Sequence, residues 1–459
     1  MIKHIYAGAS CLLVFLLFCN GCNSAQQEKS KEFSVSKVYP GLVCQADPDQ
    51  SYALFLPPQY TREKPCPVLI LFDPHGDGLL PVQLFSDEAA KKGFILAGSN
   101  NSKNGMPLDQ TTSICRNILA DISVKFAIEK KAVYLGGFSG GSRVAGAAAI
   151  MEGGIAGVIG CGAGLPNINQ KPSTPFSYLA VAGNRDFNYA EMLQLNESLQ
   201  QAGFQHHLLV FDGNHEWPPK ETISEIFDWI KFDAMRQKAI PADRIEINRF
   251  IEENDKLASR YSTDGNFPSQ QEIYKKMTHF LRGLTDVTPL EAEISRLATT
   301  KEVIAHSEKQ HQSLMREQGL QRRYSPEIQQ QSIDWWTKES NKLRQLADSD
   351  DDSDTKQIYA RLLGFLSLNC YMYSTAALKQ NDVDAAGKFI EIYRLVDPEN
   401  AEHRYLAAKV AARKHDPDAA FEALRQAFAI GFKDTARLES DADFNSLQSD
   451  KRFIDLLRK

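Results

Sequence analysis

The sequence predicts an α/β chain: a mainly parallel sheet with helices on both faces over residues 33–236, followed by an all-α region. Three observations predict it. Short apolar runs alternate with segments of helical spacing up to about residue 232. Small and chemistry-bearing residues stand just after several of those runs, where parallel sheets present their ligands. Beyond 237 the strand-like runs stop, and charged text with apolar residues at helical spacing takes over.

The elements follow in order. Residues 52–56 form a short apolar strand. PVLILF at 67–72 is nearly continuous in apolar residues, as a strand covered on both faces must be. A strand at 94–98 precedes a helix at 113–127. The strand at 132–135 leads into an Ala-rich helix at 141–151. Strands at 155–159, 176–181 and 207–211 alternate with helices at 190–201 and 221–232. This β-α-β-α rhythm calls for parallel pairing with crossover helices.

Composition narrows the function class. The 459 residues suggest about three units at roughly 150 residues each. With 43% hydrophobic and 24% charged residues, the chain is not mostly disordered. A net charge of −6 gives no ground for a nucleic-acid partner. Eight cysteines are too few for a disulfide scaffold.

The chain starts with Lys3 and His4, then the apolar run CLLVFLLFC at 11–19, then Gly21 and Cys22 before a polar stretch. That run is shorter than the ~20 residues a membrane span needs, but it suits a signal-peptide core. Gly21-Cys22 after such a core resembles a bacterial lipoprotein signal. The resemblance implies that residues 1–21 are removed. Cys22 would be lipidated, and the chain would be anchored in a bacterial envelope, periplasmic or surface-exposed. Cys19 departs from the pattern, which favours Leu there. Cys44, Cys66, Cys115, Cys161 and Cys370 remain, an odd number that cannot all pair. Cys66 and Cys161 read as small apolar filler; a Cys44–Cys66 bridge stays open. No His/Cys spacing suggests a metal site.

After the strand at 132–135 comes Gly137-Phe138-Ser139-Gly140-Gly141 and then the Ala-rich helix. GxSxG alone is a weak signal. Between a strand and a helix it is a nucleophile elbow, whose sharp turn tolerates only small neighbours. A serine nucleophile needs a base, and the base needs an orienting acid. Downstream, the strand at 176–181 ends in AGNRD, which puts Asp186 at a carboxyl end. The strand at 207–211 ends in DGNHEW, which does the same for His215. His206 and His207 stand at the opposite end of that strand. Asp212 is nearer to His215 in sequence, but neighbours on one short turn rarely face each other. Ser139, Asp186 and His215 are therefore the expected triad. The backbone N–H of Gly140 is one expected oxyanion donor. The loop DPHGDG at 73–78 supplies the second, from Asp77 or from Gly76. The Asp77 carboxylate would oppose an oxyanion, so either it points away or Gly76 donates.

GFSGG, GNRD and GNHEWP, in that order, resemble the α/β-hydrolase fold, and within it the secreted esterases grouped with polyhydroxybutyrate depolymerases and feruloyl esterases. The resemblance implies a serine esterase with no metal or organic cofactor. Ser139 would attack, His215 would move the proton and Asp186 would hold the imidazole. DPHGDG departs from the commoner apolar-His-Gly loop, so substrate choice does not carry over. No long insertion separates the core elements, so an open site is expected, which suits bulky or polymer-borne esters. Asn100, Asn101 and Trp217 are candidate lining residues.

Residues 242–346 read as several helices. An acidic cluster, Asp348, Asp350, Asp351, Asp352 and Asp354, lacks the Gly and Glu of a calcium loop and reads as a linker. Over 356–459 a repeat emerges: Asp384-Ala385-Ala386 recurs as Asp418-Ala419-Ala420, 34 residues on. That helix-turn-helix period is the tetratricopeptide signature. It predicts helix pairs at 356–379 with 385–396 and at 401–414 with 419–430. Such surfaces usually bind proteins. Three readings follow: an envelope-anchored esterase, a serine peptidase with the same triad, or an inactive hydrolase-fold interaction protein.

Overall fold

The computed structural model describes residues 33–167, 172, 174–349 and 353–457. The leader, Cys22 and residues 350–352 of the acidic cluster lie outside these. Eight strands form one sheet: β1 (Val38–Val43), β2 (Ser51–Phe55), β3 (Cys66–Phe72), β4 (Ile95–Ser99), β5 (Ile128–Phe138), β6 (Gly157–Cys161), β7 (Ser177–Gly183) and β8 (His206–Phe211). Their order is β1-β2-β4-β3-β5-β6-β7-β8. The β1–β2 and β2–β4 pairs are antiparallel, and all the others are parallel. Five helices belong to this half: α1 (Leu79–Lys92), α2 (Leu108–Lys125), α3 (Gly140–Glu152), α4 (Tyr189–Gln201) and α5 (Lys220–Arg236).

Burial explains the sheet's centre. Every residue of β3 and β7 is buried, because helices cover both faces. The carboxyl ends fall level: Phe72 pairs with Gly137, Phe138 with Cys161, Cys161 with Val181 and Gly183 with Phe211. Loops leaving these positions must therefore meet on one edge. At the other end Asp233 of α5 is fully buried. It accepts from Tyr134 Oη at 2.9 Å, Ser177 Oγ at 2.7 Å and Arg236 Nη1 at 2.7 Å. A buried charge survives only when so paired, and here the pairing ties α5 to the sheet.

Two elements go beyond the sequence reading. β1 is an edge strand carrying Pro40 and Gly41, with an irregular register between Tyr39 and Leu42. Proline is tolerated there because an edge strand need not donate on its outer side. α1 carries Pro81 in its first turn, where the missing N–H costs nothing. Cys44 and Cys66 are both free and buried, as are Cys115, Cys161 and Cys370. The Cys44–Cys66 bridge is therefore not formed.

The second half is helical: α6 (Arg244–Thr263), α7 (Phe267–Leu281), α8 (Thr288–Leu297), α9 (Lys301–Tyr324), α10 (Glu327–Gln330), α11 (Ile333–Ala347), α12 (Ser353–Lys379), α13 (Val383–Val396), α14 (Glu402–Arg413), α15 (Pro417–Ala429), α16 (Thr435–Ser440) and α17 (Lys451–Leu457). A 3₁₀ turn, Ala442–Leu447, precedes α17. Trp336, Tyr324, Leu362, Tyr405 and Phe444 share its core. The turns into α13 and α15 are built alike. Asn381 and His415 both take positive φ, 58° and 56°. The next residues, Asp382 and Asp416, cap their helices by accepting from Ala385 N and Ala419 N, each at 3.0 Å.

α6 and α7 pack on the sheet half, and Phe250 and Phe280 stack at 5.4 Å. Beside them His207 and His279 are ring neighbours at 5.1 Å. Burial, then the positive charge of nearby His279, Lys276, His206 and Lys275, holds His207 well below the ordinary histidine range. Burial likewise lowers His279. Unfolded, both would protonate near pH 6.5. Below that pH the unfolded chain binds more protons, so stability is lost as pH falls. The melting temperature should hold from pH 8 to 7 and decline from about 6.5 towards 5. His207→Phe should flatten that decline; an unchanged slope in the variant would remove His207 as its cause.

Candidate active site

Ser139 follows β5 directly and precedes the first residue of α3. Its backbone is strained, at φ 53° and ψ −119°. The turn is possible because strand and helix nearly touch. A Cβ on Gly137 would fall 2.2 Å from the Gly141 carbonyl carbon, and one on Gly141 would fall 2.0 Å from the Phe72 carbonyl oxygen. The Ser139 N–H continues the ladder to Cys161 O at 2.8 Å. This leaves the Ser139 side chain half-buried at the sheet's carboxyl edge.

The structure brings Ser139, His215 and Asp186 together. His215 Nε2 lies 2.9 Å from Ser139 Oγ, and His215 Nδ1 lies 2.9 Å from Asp186 Oδ1. Asp186 is 1% exposed. Its Oδ1 also accepts from Asn188 N at 2.8 Å, while the buried Oδ2 has no hydrogen-bond partner among the described residues. The loops carrying Asp186 and His215 are cross-linked through Arg185 N to Gly213 O and Asn184 N to Phe211 O, both 2.9 Å. Asp212 instead accepts from Asn184 Nδ2 at 3.0 Å and pairs with Arg185. It turns away from His215. His206 and His207 sit at the amino end of β8.

Two rings that sequence reasoning passed over flank His215. Phe138 and Phe187 lie 4.6 Å and 4.2 Å from the His215 ring. Their positions beside Ser139 and Asp186 were the available signal. Trp217 packs on Phe138 at 5.6 Å and Phe85 at 5.7 Å, and donates through Nε1 to Asp73 Oδ2 at 3.1 Å. It braces the histidine loop against the 73–78 loop. Asn100 uses its amide on Pro40 O and Ser51 Oγ, 3.0 Å each, so that group secures β1 and β2. Asn101 holds the start of β2 and the turn before it, accepting from Ser51 N at 2.8 Å and donating to Asp49 O at 2.9 Å.

In the 73–78 loop, the Gly76 N–H donates to Asp73 O at 3.2 Å. The Asp77 carboxylate accepts from Leu80 N at 3.1 Å and so caps α1. Burial would raise the Asp73 carboxyl, but hydrogen bonds from His75 and Trp217 outweigh it and hold it below the usual carboxylate range. The hydrogen bond to Asp73 outweighs burial and raises His75, with further help from the charges of Glu402 and Asp434. Those two residues belong to the C-terminal helical region. Asn104 also reaches the site: its N–H holds Pro74 O at 2.8 Å. A Cβ on Gly140 would fall 1.7 Å from Asn104 Oδ1.

No family model matches the chain, and no curated protein matches it. Among solved structures, the S-formylglutathione hydrolase of Staphylococcus aureus is 14% identical, covering 43% of this chain and 98% of its own, with a TM-score of 0.34. An esterase of the hyperthermophilic archaeon Pyrobaculum calidifontis is 13% identical over 43% of this chain and 86% of its own, with a TM-score of 0.35. The feruloyl esterase module of Clostridium thermocellum is 13% identical over 42% and 87%, with a TM-score of 0.34. These proteins are too distant for their activities to be transferred. The strand order and the elbow after β5 are those of an α/β-hydrolase fold.

The elbow's packing makes a contrast between two glycines. Gly141→Ala should destabilise the protein by about 3 kcal/mol, because backbone cannot retreat from backbone. Gly319→Ala, in α9 with nothing near its Cβ position, should instead stabilise it by about 1 kcal/mol. Urea unfolding of both reads the difference.

Proposed function

We propose that the chain is a serine hydrolase that cleaves carboxylic esters through an acyl-enzyme. The observation that carries this reading is the unbroken relay from buried Asp186 through His215 to Ser139, with both contacts at 2.9 Å. His215 Nε2 accepts the Ser139 proton as Oγ attacks the ester carbonyl. Asp186 holds the other ring nitrogen as donor and offsets the imidazolium charge that forms. The carbonyl oxygen becomes an oxyanion. We assign its donors to the N–H groups of Gly140 and Asp77. Supporting this, the Gly76 N–H is already engaged, and the Asp77 carboxylate is held at the α1 terminus. His215 then protonates the leaving alcohol, and water, deprotonated by His215, releases the acid.

The choice of ester rests on the likeness of GFSGG, GNRD and GNHEWP to the depolymerase and feruloyl esterase group. Cys22 is proposed as a lipid anchor to a bacterial envelope, and the last helices as a tetratricopeptide-like end able to take a protein partner. The 34-residue spacing of the Asp382 and Asp416 caps supports the repeat.

Short aryl and acyl esters should be turned over, Ser139→Ala should abolish this, and Asp186→Asn should lower kcat by about 10⁴. Hydrolysis of peptides with esters untouched would shift the reading to a peptidase. Inertness to both would leave an interaction protein. Labelled palmitate should enter the wild type and not Cys22→Ala; label that persists would remove the anchor.

A further inference from the structure

The helical half touches the acid loop through one face of α12. Arg361 and Gly364 are three residues apart, so they share that face. Arg361 is 3% exposed. Its Nε donates to Glu317 Oε2 of α9 at 2.7 Å, and its Nη1 donates to the Asn184 carbonyl at 2.6 Å. Its guanidinium also lies 5.0 Å from the centre of the Tyr189 ring. Asn184 and Tyr189 bracket Asp186, and the Tyr189 N–H donates to the Asp186 carbonyl at 2.8 Å. At Gly364 a Cβ would meet Phe187 Cδ1 at 3.0 Å. Phe187 is the ring that lies 4.2 Å from His215.

Burial pushes the Glu317 carboxyl up, and the Arg361 charge opposes that rise. A pair serving only to join α9 to α12 would need no third contact. The rigid guanidinium fork holds two acceptors at fixed angles, and here the second acceptor belongs to the acid loop.

We propose that α12 is a working part of the catalytic unit, with Arg361 a positioning residue that fixes the Asp186 loop through Asn184, and Gly364 the gap that seats Phe187 against His215. This rests on the triad reading above. The helical half is then a wall of the active site and not a detachable docking arm.

The test uses the full chain with isotope-labelled histidine, the His215 resonances being assigned by His215→Gln. The Nδ1 proton signal of His215 is followed by NMR, beside kcat, KM and melting temperature. In Arg361→Met paired with Glu317→Gln, which leaves no buried charge behind, the His215 Nδ1 proton signal should shift. There kcat should drop about 10²-fold while KM stays within about twofold. Arg361→Lys should restore the melting temperature but not the His215 Nδ1 signal. Gly364→Ala, which keeps the ion pair, should shift the His215 signal through Phe187 and decides the matter if the double variant does not fold. An unchanged His215 signal and kcat in a folded variant would overturn the proposal. A wild type without turnover but with a responsive His215 would sink the triad reading and leave the positioning role standing.

Discussion

The strained turn at Ser139 is the constraint on which the rest depends. A non-glycine residue at φ 53° costs free energy of order 1–3 kcal/mol and persists only where its surroundings over-determine it. Here the ladder bond to Cys161 holds the residue from below. Gly137 and Gly141 let the backbone of β5, α3 and β3 close around it. The strain aims one hydroxyl out of the sheet edge, with the start of α3 at Gly140 beside it.

Level strand ends turn that local feature into a site. Because β7 and β8 finish in register, the loops carrying Asp186 and His215 leave side by side and bond to each other. The imidazole is then fixed in three ways: an acid at Nδ1, a hydroxyl at Nε2 and aromatic rings at its faces. From the helical half, α12 reaches the Asp186 loop through the Arg361 hydrogen bond to the Asn184 carbonyl.

What was legible in the sequence was what burial imposes locally. CPVLILF, and SYLAVAG after its leading serine, are runs without charge because both faces are covered, and such runs announce central strands. GFSGG was legible because steric crowding demands small residues at fixed offsets. β1 was hidden by Pro40 and Gly41, and α1 by Pro81, since edges and first turns tolerate what interiors forbid. Arg361 gave no local signal, because its partners lie 44 and 177 residues away. Asn104 over Gly140 was hidden in the same way, since no sequence periodicity reports which loop arches over which turn.

Ser139 is proposed as a nucleophile activated by His215. The most direct measurement of that role is mass spectrometry of the intact and digested protein after reaction with a fluorophosphonate. The account predicts one adduct per chain, on the peptide carrying Ser139, and none in Ser139→Ala. An adduct on another residue, or one that survives Ser139→Ala, would contradict it.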